Sequence, residues 1–269
     1  MFKNKFFVVG TLVLTLILAA CTVQASGPVD TPGTGLAATL PPDQAYPIAI
    51  EGLAVAIDVN PVLATGVTQE LIPATDQGEN APYWAMSPEY LQVSFENYVR
   101  EGTFHPAQIF VYPTSAFEAS NQAAAEQITA LRSMLQQRPP EVTDEVPFLP
   151  LFNAAQIIQA QFEYLAFDGG SGVRFLTQYG QGRGPINNHE LFYAFQGLTD
   201  DGEYYVAAIL PVSLPDLPAD ASEMPEGDWE GYLSDVEQQL NAAGPSSFQP
   251  DIESLDQMMR TLTMANAGS

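Results

Sequence analysis

The stretch from Ile158 to Leu210 constrains the fold more than any other part of the chain. Four apolar runs follow one another too closely for helices to intervene. Ile158, Ala160, Phe162 and Tyr164 place alternate residues on one face of the first run. Asp168-Gly169-Gly170-Ser171-Gly172 turns into a second run carrying Val173, Phe175, Thr177 and Tyr179. Leu191, Tyr193 and Phe195 continue in a third, and Asp200-Asp201-Gly202 turns into a fourth, Tyr204 to Leu210. Period-two alternation between glycine-rich turns is the signature of an antiparallel meander.

Upstream, Leu91, Val93, Phe95, Asn97 and Val99 alternate with polar residues, and Ala107 to Tyr112 supplies a hairpin partner across Gly102. A helix is predicted from about 115 to 138. Ser115-Ala116-Phe117-Glu118 reads as a capping box, Phe117, Ala124, Ile128, Leu131 and Leu135 recur at helical spacing, and Pro139-Pro140 ends the pattern. Two more helices are predicted near the end. One carries Trp229, Leu233, Val236 and Leu240; the other carries Ile252, Leu255, Met258, Met259 and Leu262 behind Pro250 at its first position. Short strands are expected at 48–57 and 67–72, and a proline-rich loop anchored by Tyr83-Trp84 at 73–90. The fold class expected is α+β: an antiparallel sheet of hairpin, helix and four-strand meander, with helices covering one face.

The amino end carries an address. Lys3 and Lys5 precede an apolar run from Phe6 to Leu18, which is too short to span a bilayer of roughly 30 Å as a stable helix. Leu18-Ala19-Ala20-Cys21 resembles the lipobox of bacterial lipoproteins. That resemblance implies cleavage before Cys21 and lipid on its sulfur and amine. The alternative is a soluble secreted protein cut after Ala25, since Val23-Gln24-Ala25 suits an ordinary signal peptidase. The organisation expected is a signal peptide at 1–20, a flexible tether at 21–45 rich in Thr, Gly, Pro, Ser and Ala, and one α+β domain at 46–269. The expected partner is then a membrane, the cell membrane or an outer membrane, reached through Cys21 on the extracytoplasmic side.

The order of hairpin, helix, meander and terminal helix over residues 90 to 265 is similar to PsbP-like extracytoplasmic proteins, including lipoproteins of the DcrB type. The helix predicted at 228–243 is not an obvious part of that pattern. The stretch from Phe148 to Val212 also resembles uncharacterised lipoproteins of environmental bacteria. Neither resemblance implies a catalytic residue.

Composition excludes several chemistries. Asp and Glu number 32 against 8 Lys and Arg, a formal charge of −24, and both lysines lie in the first five residues. A nucleic-acid partner is excluded for want of a cationic surface. So dense a charge predicts self-repulsion that salt relieves, and mild acid too if the carboxylates are crowded by like charge. Cys21 is the only cysteine, so internal disulfides, cysteine zinc sites and CxxC redox chemistry are ruled out. No lysine remains in the body for Schiff-base chemistry.

No catalytic motif assembles along the chain, and no cofactor is expected. Gly169-Gly170-Ser171-Gly172 is not the GxSxG elbow and reads as a flexible turn. Gly180-Gln181-Gly182-Arg183-Gly184 lacks the lysine and helix start of a phosphate loop and reads as a mobile loop, with Arg183 a minor anion-binding candidate. His105 and His189 lie in separate loops and would bind zinc only if those loops converged. Asp216, Asp220, Glu223, Glu226, Asp228 and Glu230 have the hard oxygen ligands that Ca²⁺ takes, without the EF-hand alternation, so a solvated acidic loop leading into a helix is the preferred reading. The aromatic residues of the meander would suit an apolar or sugar ligand if they lined a cleft, but alternating aromatics more often form core. Two functions therefore remain: a noncatalytic module binding a protein partner or small ligand, or an extracytoplasmic hydrolase whose acids meet only in the fold. A cleft holding two close carboxylates, or a carboxylate with His105 or His189, would favour the hydrolase.

Overall fold

The structure is a computed structural model that describes residues 48–50, 53–75, 78, 81–140, 142, 145–222 and 227–266. Cys21, the predicted leader and tether, Glu223 and Glu226 lie outside the described residues. Seven strands form one antiparallel sheet: β3 (Gly66–Ile72), β4 (Tyr90–Glu96), β5 (Gln108–Pro113), β6 (Ala155–Phe167), β7 (Gly170–Gly180), β8 (Phe192–Thr199) and β9 (Tyr204–Pro211). Their order is β3-β4-β5-β9-β8-β7-β6, so the hairpin half and the meander half meet where β5 pairs with β9. A second, three-stranded sheet joins β1 (Ile48–Ile50), β2 (Leu53–Ala56) and β10 (Thr263–Asn266). The α+β class is as expected; β10 was not foreseen.

Both faces of the large sheet are covered, where one was expected. On one face α1 (Thr114–Ser120) and α2 (Gln122–Gln137) bury Phe117, Ala124, Ile128 and Leu131 against Val173, Phe175, Phe192 and Ala207. On the other, α3 (Trp229–Ala242) and α4 (Ile252–Arg260) bury Val236, Leu240, Leu255 and Met259 against Leu176, Tyr193, Phe195 and Ala208. Two-sided burial explains why β8 and β9 read as almost unbroken apolar runs. The one amide among them, Gln196, is buried and satisfied. Its Oε1 accepts from the Leu149 N–H at 2.9 Å and the Tyr205 hydroxyl at 2.6 Å, while its Nε2 donates to the Leu149 carbonyl at 3.2 Å.

The predicted 115–138 helix is two helices. Asn121 adopts φ −149° and ψ 108°, ending α1; its Oδ1 accepts from the Ala124 N–H and so caps α2. Its Nδ2 donates to the carbonyls of Tyr83 and Met86, which ties the proline-rich loop to the break. The Ser115 capping box does not form: α1 starts after Pro113 without a side-chain cap, and Thr114 instead donates to the Gly202 and Glu203 carbonyls. At α4, Asp251 rather than proline opens the helix, accepting from the amides of Glu253 and Ser254.

Two local details of the meander also differ from expectation. The turn between β6 and β7 is tighter than predicted, because Gly170 and Gly172 belong to β7. A Cβ on Gly170 would lie 2.1 Å from Phe167 Cζ, and one on Gly172 would lie 2.5 Å from Phe195 Cζ. These glycines make room for rings. In β6 a bulge at Gln161, with φ 54°, moves the strand by one residue, so Ile158 and Ala160 pack on the α3 and α4 face while Phe162 and Tyr164 pack on the other. The Gln161 side chain donates to the Leu240 and Ala243 carbonyls and so satisfies the end of α3.

Candidate functional site

The main cleft, of about 540 Å³, opens where the end of β7 meets the loops before β5, before β6 and before β8. That volume suits a small molecule. Part of the lining is a run of ring contacts. His105 stacks on Phe152 with centroids 5.2 Å apart, Phe152 meets Tyr179 edge-on at 5.0 Å, and Phe104 meets His105 edge-on at 4.8 Å. Behind them Phe148 and Phe192 continue the cluster into the core. Phe104, 63% exposed, lines the cleft.

The polar part of the lining is held by amides. Gln178, in β7, donates to the Pro185 carbonyl at 3.0 Å and to Glu190 Oε2 at 2.8 Å, and accepts from the Asn187 N–H at 2.9 Å. Asn187, fully buried, donates to the same Glu190 oxygen at 3.3 Å and accepts from the amides of His189 and Glu190. Asn188 pins the loop from outside, donating to the Leu214 and Leu217 carbonyls and accepting from the Leu214 N–H. Glu190 Oε2 is thus occupied, whereas Oε1 has no hydrogen-bond partner among the described residues.

Gly180 to Gly184 supplies another stretch of lining, tied down where Gln181 donates to the Asn153 carbonyl at 2.8 Å. Arg183 places its guanidinium 6.0 Å from the Trp229 ring centroid, and Trp229 stacks on Tyr232, whose hydroxyl accepts from the Ile186 N–H. No carboxylate pairs with Arg183 among the described residues. Burial pushes the His105 imidazole down to about 4, so it is neutral near pH 7, and neither ring nitrogen has a hydrogen-bond partner among the described residues. Burial likewise raises the Tyr179 phenol, whose oxygen accepts from Gln156.

The two histidine loops do converge. Phe104 N–H donates to the His189 carbonyl, and the Phe104 ring touches both imidazoles, with the His189 centroid at 6.2 Å. His189 is engaged elsewhere, its Nδ1 2.9 Å from the Gly102 carbonyl oxygen. Among the described residues no three His, Cys, Asp or Glu side chains gather to hold a metal. Of the acidic stretch, Asp228 Oδ2 accepts from the Gly231 N–H as the cap of α3, Glu230 sits in its first turn, Asp220 accepts from the Ser222 N–H, and Asp216 is exposed. The meander aromatics divide: Phe175, Tyr193, Phe195 and Tyr205 are core, and Tyr179 reaches the cleft.

His105 and Glu190 share the cleft, which is the combination set out above as favouring a hydrolase. No hydrogen bond or ion pair joins them, and the described lining has no serine, threonine, cysteine, lysine or aspartate. Sequence reasoning missed Gln178, Asn187, Asn188 and Glu190. The signals were a glutamine inside an apolar strand run and an Asn-Asn pair in a loop between strands, both places where an amide is retained only if it is satisfied. Among the described residues no helix is long and apolar enough to cross a membrane. Comparison with known protein families, curated proteins and solved structures finds no match.

Proposed function

We propose that this chain is a noncatalytic extracytoplasmic binding module, held at a membrane by lipid on Cys21, and that its cleft takes a small ligand with an aromatic or apolar body. The supporting observation is the lining itself. Its rings offer faces and edges to a ligand, and an exposed Phe104 stands among them. Its histidine is held neutral and its carboxylate has one oxygen already committed to two amides. A hydrolase is the second reading, favoured by His105 and Glu190 sharing the cleft. A PsbP-like architecture is part of the proposal and rests on element order alone.

The anchor and the cleft are tested separately. Cys21→Ser should release the protein from membranes or leave an unprocessed precursor, and intact-mass analysis of the native chain should show an acylated start at Cys21. An unmodified start at Ser26 would remove the lipid anchor from the proposal. For the cleft, 2-phenylethanol titrated into the full chain should raise its melting temperature, and Phe104→Ala should weaken that response without unfolding the protein, since the ring is exposed. Turnover of a p-nitrophenyl ester, lost in both His105→Ala and Glu190→Gln, would instead establish the hydrolase.

A further inference from the structure

Resting on the reading of this cleft as a ligand site, we infer that its ligand class is a zwitterion with an apolar or aromatic body, of which an amino acid with a phenyl side chain is the simplest case. Among the described residues the cleft is lined by one cation, Arg183, and one anion, Glu190, and no ion pair joins them although both line the same space. Opposite charges left apart in one cleft, each with unused hydrogen-bonding capacity, complement a ligand whose own charges are apart. Arg183 has five N–H donors and, among the described residues, one ring contact, with Trp229. Glu190 Oε1 has no partner among the described residues, while the other oxygen of the carboxylate is fixed by Gln178 and Asn187. The carboxylate is therefore oriented before any ligand arrives, which lowers the cost of binding an ammonium group.

Simpler ligands fit less well. An anion would meet Arg183 but would approach a chain of formal charge −24 with Glu190 in the same cleft. A cation would be drawn in by that charge and then face an unpaired guanidinium. A neutral sugar needs several free donors and acceptors, yet Gln178 spends both of its amide hydrogens within the protein and Gln181 donates to Asn153. A zwitterion is neutral at long range and uses both charges at short range. Its apolar body has Phe104, Phe152 and Tyr179 to lie against, and about 540 Å³ exceeds what a single phenyl-bearing amino acid fills.

Four probes with one phenyl ring separate the contributions when titrated calorimetrically into the full chain: L-phenylalanine, 2-phenylethylamine, 3-phenylpropanoate and 2-phenylethanol. L-phenylalanine should bind about tenfold or more tighter than each singly charged probe, with 2-phenylethanol weakest. Arg183→Gln should erase its advantage over 2-phenylethylamine, and Glu190→Gln its advantage over 3-phenylpropanoate. Equal affinity of the native chain for L-phenylalanine and either singly charged probe overturns the zwitterion, whatever the variants do. So does L-phenylalanine binding that Arg183→Gln leaves unchanged. In those cases the binding module survives, provided the phenyl probes bind and Phe104→Ala weakens them. If none of the four binds, including the uncharged alcohol, the reading of the cleft as an aromatic-ligand site fails with it.

Discussion

Arg174 and Asp256 lie 3.4 Å apart in the layer between β7 and α4, their side chains only 6% and 2% exposed. Arg174 also donates to Glu163 at 2.7 Å and to the Gln161 carbonyl, and the Tyr193 hydroxyl donates to Asp256 Oδ1 at 2.8 Å. A buried pair of this kind is costly to break from one side, because the survivor keeps its desolvation penalty. Asp256→Ala should therefore destabilise by about 3 to 5 kcal/mol in urea melts. Arg174→Met combined with Asp256→Leu should recover part of that loss, since two apolar side chains leave no stranded charge although the buried Tyr193 hydroxyl loses its acceptor.

The break at Asn121 and the missing box at Ser115 make opposite forecasts for two polar side chains. Asn121→Ala removes a cap and two partly buried donations to the loop at 83–86, an expected loss of about 2 to 3 kcal/mol. Ser115→Ala should change stability by less than about 0.5 kcal/mol. Leu131→Ala, at a fully buried position facing the sheet, should cost about 2 to 5 kcal/mol. Equilibrium denaturation of the three variants ranks them directly.

Gly172 and Gly169 belong to the same hairpin and are unequal in role. Alanine at 172 would place its Cβ 2.6 Å from the Gln196 carbonyl oxygen as well as against Phe195, so backbone must move, and a loss of about 3 kcal/mol or more is expected. Alanine at 169 meets open space and pays only for φ of +75°, about 1 to 2 kcal/mol. Phe195→Leu should rescue part of the first loss and none of the second in thermal melts.

Acid acts on the shifted groups with opposite signs. His105 is lowered to about 4 by burial, so the unfolded chain takes up that proton first. Its contribution to stability is whole above pH 6.5 and drains away as pH falls from 6.5 to 4, with a slope of at most about 1.4 kcal/mol per pH unit. Burial raises Asp256 above 3.8, outweighing Arg174, so the native state binds that proton first and acidification toward pH 3.8 favours folding there. Hydrogen bonds from Thr199 and Ser222 lower Asp201 and Asp220, whose contributions fade below the ordinary carboxylate value. Between pH 7 and 5 the His105 contribution should dominate the difference between the native chain and His105→Phe. A pH series of urea melts should show the native curve falling and the variant curve flatter. NaCl at neutral pH should raise the melting temperature of both by screening a formal charge of −24 over about 10 Å at 0.1 M.

The elements legible in the sequence were those governed by periodicity. The meander from 158 to 210, the hairpin before it and the buried stripe of Phe117, Ala124, Ile128 and Leu131 all declare themselves through neighbours close in sequence. What stayed hidden depends on partners far along the chain. Asn121 breaks a helix because its Nδ2 finds Tyr83 and Met86; Gly170 and Gly172 are strand residues because Phe167 and Phe195 need their space. The second covered face was concealed in the same way. An unbroken apolar run such as Tyr204 to Leu210 fits a half-buried strand and a fully buried one alike until the helices are placed. The cleft was least legible, since Phe104 comes from the loop before β5 and meets Gln178, Arg183 and Glu190, from the end of β7 and the loop after it, only in the fold.

The seam where β5 pairs with β9 carries a kinetic consequence. Gln108 and Ile209, partners in its register, are roughly a hundred residues apart along the chain, whereas the β6–β7 and β8–β9 turns of the meander are a few residues long and its β7–β8 connection runs only from Gln181 to Leu191. The meander has little entropy to surrender in order to form; the seam has much, and the sheet remains two halves until it closes. Substitutions at Ile109, Val111, Val206 and Ala208 should therefore fall chiefly on the folding rate, and those in β3 at the far edge chiefly on the unfolding rate. Until closure both β5 and β9 present unpaired edges rich in valine, isoleucine and tyrosine, so the interval before the seam zips is the one in which this chain is most exposed to pairing with another copy of itself.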